Sequence, residues 1–170
     1  MIRKASVADV GEIVGLETIS HDQDHFGRRQ FRYLLTKANA VTLVTLIRGK
    51  IIGACVIAFR KGSGVCRIYN LMVHPEHRRR GLGEGLLEEA TKLSIKRGCR
   101  LIRLEVRQDN KAAISFYERY GFIRGEAIVD YYENGKAAWV YNSDTGSTSM
   151  MTRVAPIFFS SIYACNRSNM

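Results

Sequence analysis

The sequence predicts a mixed α/β domain built around one central β-sheet. From about Cys66 to Tyr120, β-rich segments alternate with segments of helical periodicity. A helix that links two such strands returns the chain in the same direction, so the two strands are expected to be parallel neighbours. The chain has 170 residues, of which 46% are hydrophobic. This length suits one domain with a substantial core and is too short for two comfortable ones.

The N-terminal segment predicts one short strand and two helices. A strand fits Ile2 to Ala5, and Ser6 with Asp9 three residues later resembles a capping box, with Asp in place of Glu or Gln. This cap predicts a first helix that ends near Ser20. A second helix is predicted from about Arg28 to Lys37.

Three β-rich segments follow these helices. Val41 to Ile47 and Lys50 to Phe59 flank Arg48 and Gly49, an arrangement that favours a hairpin. The third segment, Cys66 to Val73, predicts the next strand.

The rest of the chain alternates between helices and strands. After a glycine turn, an apolar stripe predicts a helix that ends near Gly98. The remaining predicted elements are a strand at Arg100 to Val106, a helix at Asn110 to Tyr120, and strands at about Ile123 to Tyr131 and Lys136 to Tyr141.

The turn that precedes the glycine-led helix has the composition of an anion site. Gly81 and Gly83 let a phosphate approach the main chain, and the helix start offers unpaired N–H groups and the positive end of its dipole. Arg78, Arg79 and Arg80 add positive charge beside them. From these residues alone, the turn predicts either a pyrophosphate site or only a tight turn.

Two motifs resemble those of the GNAT superfamily of acetyl-coenzyme A-dependent N-acetyltransferases. Residues 78–83, R-R-R-G-L-G, fit its R/Q-x-x-G-x-G/A loop, and residues 104–122 resemble its L-E-V-R-x-x-N-x-x-A-x-x-x-Y-x-x-x-G-F signature. Residues 130–132, D-Y-Y, are similar to a segment of the ribosomal-protein-alanine N-acetyltransferase (RimI-like) branch. The resemblance covers roughly residues 1–142.

The resemblance implies the fold and the donor. The GNAT fold has a mixed, mostly antiparallel central sheet of about seven strands with a splayed parallel pair, flanked by about four helices. The implied donor is acetyl-CoA, with its pyrophosphate on Arg78, Arg79, Arg80, Gly81, Leu82 and Gly83 of this chain.

The resemblance also implies main-chain contacts for the pantetheine arm. Leu71, Met72 and Val73 are expected to hold its amides, and the N–H of Met72 or Val73 is expected to meet the oxyanion where the strand bulges. Asn110 opens the helix of the second motif. Its residue type favours an N-cap, and the resemblance adds a contact to pantetheine.

Glu105 is the candidate general base. On the predicted strand, Ile102, Leu104 and Val106 share one face, and Glu105 lies on the other face with Arg103. A carboxylate on an interior strand needs a partner or an open cleft. An ion pair with Arg103 or Arg107 is the structural alternative, and both roles are compatible.

Tyr117 is the candidate general acid. From its spacing alone, it is one of several core aromatics on a helix. The resemblance implies that its phenol points at the coenzyme sulfur and donates a proton to the leaving thiolate.

Tyr131 and Tyr132 are the candidate acceptor-binding residues, although two strand tyrosines that alternate between faces would give the same sequence. The resemblance predicts transfer of acetyl to a protein N-terminal α-amine. Two alternatives stay open: a small-molecule amine as acceptor, and a non-catalytic module that senses acyl-coenzyme A. Residues 21–27 do not match the RimI-like acceptor segment with confidence, so the acceptor is left open.

The composition narrows the partners. A formal charge of +10 and a pI near 9.7 favour polyanions, and coenzyme A is one. The sequence has no zinc-ligand spacing and no RNP-like segment, so specific nucleic-acid binding is not predicted. Action close to the ribosome, without specific recognition of RNA, stays an alternative. No segment predicts a leader peptide or a membrane span, and four scattered cysteines suit a reducing compartment, so cytoplasmic residence is expected.

Two segments have ambiguous compositions. His21 to His25 resembles a metal site, but such polar residues in a loop are more often solvated, and no metal is predicted. From Ser143 the sequence becomes linker-like and then apolar, so the domain is predicted at 1–142 with an extension at 143–170. The extension is either disordered or non-native, or it docks on its own domain or on a second copy as a homodimer.

Overall fold

The computed structural model describes residues 1–20, 26–132 and 134–146. The strands are β1 (Ile2–Lys4), β2 (Ala40–Ile47), β3 (Lys50–Phe59), β4 (Val65–Val73), β5 (Leu101–Arg107), β6 (Ile123–Ile128) and β7 (Ala138–Asp144). The helices are α1 (Val10–Ser20), α2 (Arg28–Thr36), α3 (Leu82–Lys96) and α4 (Lys111–Arg119).

The seven strands form one sheet in the order β1-β2-β3-β4-β5-β7-β6. Within the described chain, β4 and β5 are the one parallel pair, and α3 is their crossover helix. The predicted fold class is therefore confirmed: a mixed sheet of seven strands with one parallel pair and four helices.

The two sides of the sheet bury separate hydrophobic cores. On one side, α3 and α4 cover a core that includes Leu86, Ile102, Leu104 and Tyr117. On the other side, α1 and α2 pack over β2, β3 and β4 around Ile13, Phe31 and Met72. Because side chains alternate along a strand, neighbouring residues of β4 and β5 face different cores.

Local sequence chemistry explains the early elements. Asp9 accepts hydrogen bonds from the Ser6 N–H at 2.7 Å and from the Ser6 hydroxyl, and the first of these is the Asp9 half of the predicted capping box. This cap opens a short 3-10 turn (Val7–Asp9) that leads into α1. Arg48 and Gly49 both have positive φ, 49° and 79°, and they form the two-residue turn between β2 and β3.

The C-terminal strands differ from their predicted bounds. β6 ends at Ile128, and Asp130 takes a φ of +51°, which ends the extended conformation before Tyr131. β7 begins at Ala138 and runs to Asp144 instead of ending at Tyr141. The sequence does not predict this extension, because the last residues of β7, Asn142 to Asp144, are polar and resemble a linker.

The end of β7 is well packed. Ser143 is buried, and Thr145 donates from its N–H to the Arg100 carbonyl at 3.0 Å and from its hydroxyl to the Cys99 carbonyl at 2.9 Å. The predicted boundary after Asn142 therefore falls inside the last strand.

Candidate active site

A gap opens between the two parallel strands. Their pairing ends at Ile68 and Leu104, although β4 continues to Val73 and β5 to Arg107. The register between β3 and β4 shifts at the same level, where Tyr69 is the extra residue of a bulge. Beyond this level each strand presents an unpaired edge to the other.

Main-chain groups of β4 face this gap. The His74 N–H donates to the Ile52 carbonyl at 2.8 Å, so the alternation of an antiparallel ladder directs the Met72 main chain toward β3. The N–H groups of Leu71 and Val73 then point toward the gap. The Val73 carbonyl accepts a bond from Arg78 instead of from β3, which agrees with this alternation.

This geometry corrects one expectation about β4. The bulge lies at Tyr69, not at Met72 or Val73. Of the three residues expected to hold pantetheine, Met72 has its N–H turned away from the gap. Leu71 and Val73 stay as predicted donors to pantetheine and to the oxyanion.

The turn before α3 has an unusual backbone. Gly81 is the N-cap of α3 with a φ of +76°, and Arg79 also has a positive φ, 59°. The first N–H groups of α3, from Leu82 onward, have no carbonyl partner in their own helix. A Cβ on Gly83 would lie 3.6 Å from Phe116 and 3.8 Å from Val73, which is ordinary contact. The left-handed requirement therefore falls on Gly81, not on Gly83.

The three arginines of the turn have different environments. Arg78 donates to the Val73 carbonyl at 3.1 Å and to the Ser20 carbonyl at 3.2 Å, so it ties the turn to β4 and α1. Arg80 lies 3.5 Å from His77. All three arginine side chains are exposed. Arg79 and Arg80 are therefore better placed than Arg78 to meet a pyrophosphate.

Tyr117 is buried on the α3 and α4 side of the sheet. Its ring packs edge-on against Phe116 and Phe122, with centroids 5.1 and 5.4 Å away. Burial raises the pKa of the Tyr117 phenol well above its usual range, and Cys55 and Tyr132 add to this shift. Since Cys55 pairs with Leu71 across the sheet, the phenol lies near the part of β4 that faces the gap.

The second motif also places Asn110. Its side chain accepts a bond from the Ala113 N–H at 3.0 Å and so caps α4, as its residue type predicts. Its contact with pantetheine stays a prediction.

Glu105 lies on the opposite face from Tyr117. Its side chain is 4% exposed, and each carboxylate oxygen holds one arginine: Oε2 accepts from Arg67 Nε at 2.8 Å and Oε1 from Arg103 Nε at 2.9 Å. The expected Arg103 pair is therefore present. Arg107 instead pairs with Asp109 at 2.9 Å.

Tyr131 and Tyr132 lie in the connection between β6 and β7, not in a strand. Their rings pack edge-on, with centroids 4.9 Å apart. Tyr131 accepts a short hydrogen bond from Arg67, and burial together with Glu105 raises the pKa of its phenol. Tyr132 adds to the raised pKa of the Tyr117 phenol, whereas Tyr131 is hydrogen-bonded to Arg67.

Sequence reasoning missed four residues of this site. Arg67 stacks on the ring of Tyr69 at 4.6 Å, and Asn70 donates to Glu17 of α1 at 2.7 Å. Glu17 is only 2% exposed, and it also accepts a bond from the Phe26 N–H. The alternation of buried Cys66 and Ile68 could have placed Arg67 on the outward face. No local signal marks Glu17, because its partners are distant in sequence.

Some sequence predictions lie outside the described residues. These are the polar segment His21 to His25 and residues 147–170 of the extension. Cys55, Cys66 and Cys99 are buried free thiols, as expected. Among the described helices, none has the length and apolar character to cross a membrane.

Comparison with known proteins places the chain in a family. The sequence model of the Acetyltransferase (GNAT) family matches residues 8–122, so the chain belongs to this family. An N-acetyltransferase of unknown role from Methanocaldococcus jannaschii is 31% identical over 67% of this chain and 53% of its own length. N-alpha-acetyltransferase 30 of Schizosaccharomyces pombe is 32% identical over 68% of this chain and 79% of its own. The chain thus spans only about half the length of the first of these relatives.

Solved structures share the fold. The ribosomal-protein-S18-alanine N-acetyltransferase of Escherichia coli superposes with a TM-score of 0.77 at 24% identity, over 86% of this chain and 94% of that one. The NatC complex bound to Gag peptide and CoA superposes with a TM-score of 0.71 at 23% identity, over 85% and 97%. Acetyl-CoA is the acetyl donor of this family.

Proposed function

We propose that the protein transfers an acetyl group from acetyl-CoA to a primary amine, namely a protein N-terminal α-amine, by direct attack in a ternary complex. One observation carries this proposal. Tyr117 and Glu105 lie on opposite faces of the sheet and flank the gap beside Leu71 and Val73. A donor and an acceptor can thus meet in the gap from opposite sides.

The donor side fits coenzyme A. The Arg78 to Gly83 turn offers main-chain N–H groups, a helix N-terminus and exposed guanidinium groups to a pyrophosphate. The unpaired edge of β4 offers N–H groups to the pantetheine amides by strand-like pairing. Acetyl-CoA supplies a thioester, whose carbonyl oxygen would accept from Leu71 or Val73.

Tyr117 suits the acid role. The amine nitrogen bonds to the thioester carbon, the carbon–sulfur bond breaks, and the leaving thiolate takes the phenol proton. Because the pKa of Tyr117 is raised by burial, the phenol stays protonated until a thiolate of lower pKa forms beside it. The buried aromatic packing around its ring keeps water away from this proton.

Glu105 suits the base role. The attacking amine loses a proton, and an α-amine with a pKa of about 8 is already partly neutral near physiological pH, so a weak base is sufficient. Arg67 and Arg103 hold the carboxylate and fix its position. Proton transfer through one water molecule fits a carboxylate whose two oxygens already accept bonds.

The choice of a protein acceptor is supported by two comparisons. The S. pombe relative is named an N-alpha-acetyltransferase, and the NatC structure holds a peptide. A small-molecule amine is the alternative acceptor, and Tyr131 and Tyr132 would bind either. A non-catalytic sensor is disfavoured because Glu105, Asn110 and Tyr117 all keep positions suited to chemistry. We also propose cytoplasmic residence, with acceptors that are met near the ribosome.

An acetylation screen tests the function. The full-length protein with acetyl-CoA would be offered matched peptides with a free N-terminus, peptides with a blocked N-terminus and one lysine, and small amines such as polyamines. We expect the free N-terminal peptides to be acetylated with the highest kcat/KM. Preference for small amines would support the alternative acceptor. Coenzyme A binding without transfer to any amine would support the sensor.

A further inference from the structure

The charge on the acceptor face points to the sequence of the acceptor. We infer that the acceptor carries an acidic side chain at its second residue, and that Arg103 binds this carboxylate. This inference rests on the proposed function, because it concerns the acceptor of the same site.

Two arginines lie directly opposite each other at the closed end of the gap. Arg67 pairs with Arg103 in the parallel register of β4 and β5. Both side chains lie on the Glu105 face, and both donate to that one carboxylate. Like charges opposite each other on neighbouring strands are unfavourable. One carboxylate balances only one of the two guanidinium groups, so this pair has a surplus positive charge.

Arg67 is held by its surroundings. It donates to Glu105 and to the Tyr131 hydroxyl, and its guanidinium lies over the Tyr69 ring. Burial alone would lower the pKa of the Arg67 guanidinium. Its electrostatic interactions with Glu105, Tyr131 and Tyr69 and its hydrogen bond to Glu105 outweigh this effect and raise the pKa. Arg67 therefore serves to fix Glu105 and Tyr131.

Arg103 is differently placed. It uses only Nε, for Glu105, and its side chain is 43% exposed. Its two terminal nitrogens have no partner among residues 1–20, 26–132 and 134–146. On its other side it faces Asn142 of β7, a neutral residue. Two terminal nitrogens with unused N–H donors thus lie on the arginine that holds the candidate base.

Three other described carboxylates near this face already have partners. Glu17 accepts from Phe26 and Asn70, Asp109 from Arg107 and Lys136, and Asp144 from the Gly146 N–H. The sequence from Phe26 to Pro75 holds nine Lys and Arg residues and no Asp or Glu. The surplus on Arg103 is therefore available for a carboxylate that the acceptor brings.

The distances suit the second residue of a peptide. Residues two apart on a strand are separated by about 6.6 Å, which is the spacing between Glu105 and Arg103 along β5. A peptide that runs from Glu105 toward Arg103 places its next residue about 3.8 Å further along, with its side chain within reach of Arg103. A guanidinium fork binds a carboxylate in a bidentate manner, which selects Asp or Glu over Gln and excludes Lys.

Charge exchange between enzyme and peptide tests this inference. Peptides that differ only in Glu, Gln or Lys at the second position would be assayed with the full-length protein at saturating acetyl-CoA. We expect kcat/KM to be at least about tenfold higher for Glu than for Gln, and lower still for Lys. In Arg103→Gln, the ratio of kcat/KM for the Glu peptide to kcat/KM for the Gln peptide should be near one. In Arg103→Glu, the peptide with Lys at the second position should become the preferred one.

Arg119→Gln is the matched control, because Arg119 is exposed at the end of α4 and outside the site. It should keep the preference for Glu. Coenzyme A affinity, measured by calorimetry, should be unchanged in every variant and shows that each is folded.

Two kinds of failure are distinguishable. The inference is wrong, and the proposed function stands, if peptide α-amines are acetylated but kcat/KM does not depend on the second residue. The same holds if Arg103→Gln keeps the preference for Glu over Gln at that position. If no peptide α-amine is acetylated while lysine or small amines are, the proposed choice of an N-terminal α-amine is wrong and the inference is overturned with it.

Discussion

The two sides of the gap between β4 and β5 differ in their chemistry. On the donor side, Tyr117 lies among aromatic rings, and burial keeps its phenol protonated. On the acceptor side, Glu105 is almost as well buried, but two arginines hold it in a charged cluster. The donor side thus protects one proton from water, whereas the acceptor side fixes a carboxylate beside surplus positive charge.

Under the proposed function, this contrast gives the two sides different tasks. A phenol that must release its proton only to a thiolate is best kept in an apolar environment. A carboxylate that meets varied amines is best kept ionised and correctly oriented, which partners provide. Substitutions on the donor side should therefore affect donor binding or chemistry, and those on the acceptor side should affect acceptor use and its pH dependence.

The largest effect is expected for Tyr117→Phe. The change removes the hydroxyl and its proton but keeps the ring and its packing, so turnover should fall by about 10²-fold or more with donor affinity unchanged. Because the pKa is raised in the folded protein, wild-type activity should not decline through loss of this proton up to about pH 10. Steady-state kinetics and calorimetry measure both quantities. Tyr33→Phe, at an exposed site on α2, is the control. Normal turnover of Tyr117→Phe in a step limited by chemistry would exclude the acid role.

Gly83→Asp should be next, and it tests the donor side alone. The structure leaves room for a Cβ at Gly83, so crowding is not the main reason. A carboxylate at the first turn of α3 would repel the pyrophosphate, and the dissociation constant of coenzyme A should rise at least about tenfold. Gly83→Ala should bind nearly normally. If calorimetry finds that folded Gly83→Asp binds coenzyme A as tightly as the wild-type protein does, the pyrophosphate binds at another site.

Glu105→Gln tests the acceptor side. It removes the base and leaves Arg67 and Arg103 without their carboxylate, so kcat/KM for the acceptor should fall about tenfold while donor affinity is kept. The loss should be greatest at low pH, where the amine is protonated and must give up a proton before attack. A pH profile of kcat/KM measures this, with Glu126→Gln on exposed β6 as the control. Equal losses at pH 6 and pH 9 would argue for a structural role.

The same contrast explains how much the sequence could predict. The donor side comes from two local motifs and from helical and strand periodicity, so Gly81, Asn110 and Tyr117 were all predicted in their observed elements. The acceptor side brings together Glu17, Arg67, Glu105 and Tyr131, which are distant in sequence, and the motifs include Glu105 and Tyr131 but mark neither Glu17 nor Arg67. Pairing across a sheet decides those contacts, and local pattern cannot show which strands become neighbours.

The smallest effect is expected for truncation at the end of β7. This change tests how far β7 stabilises β5, the strand that carries Glu105 and Arg103. A chain that ends at Asn142 lacks Ser143 and Asp144 of the last strand and the two hydrogen bonds of Thr145. Because β7 pairs with β5 along its whole length, the free energy of unfolding of this truncated protein should fall by about 1–3 kcal/mol. A chain that ends at Gly146 keeps these contacts and should retain both stability and coenzyme A affinity. Thermal unfolding and calorimetry on the two truncated proteins measure the difference. Loss of coenzyme A affinity in the longer protein would show that residues 147–170 belong to the functional domain.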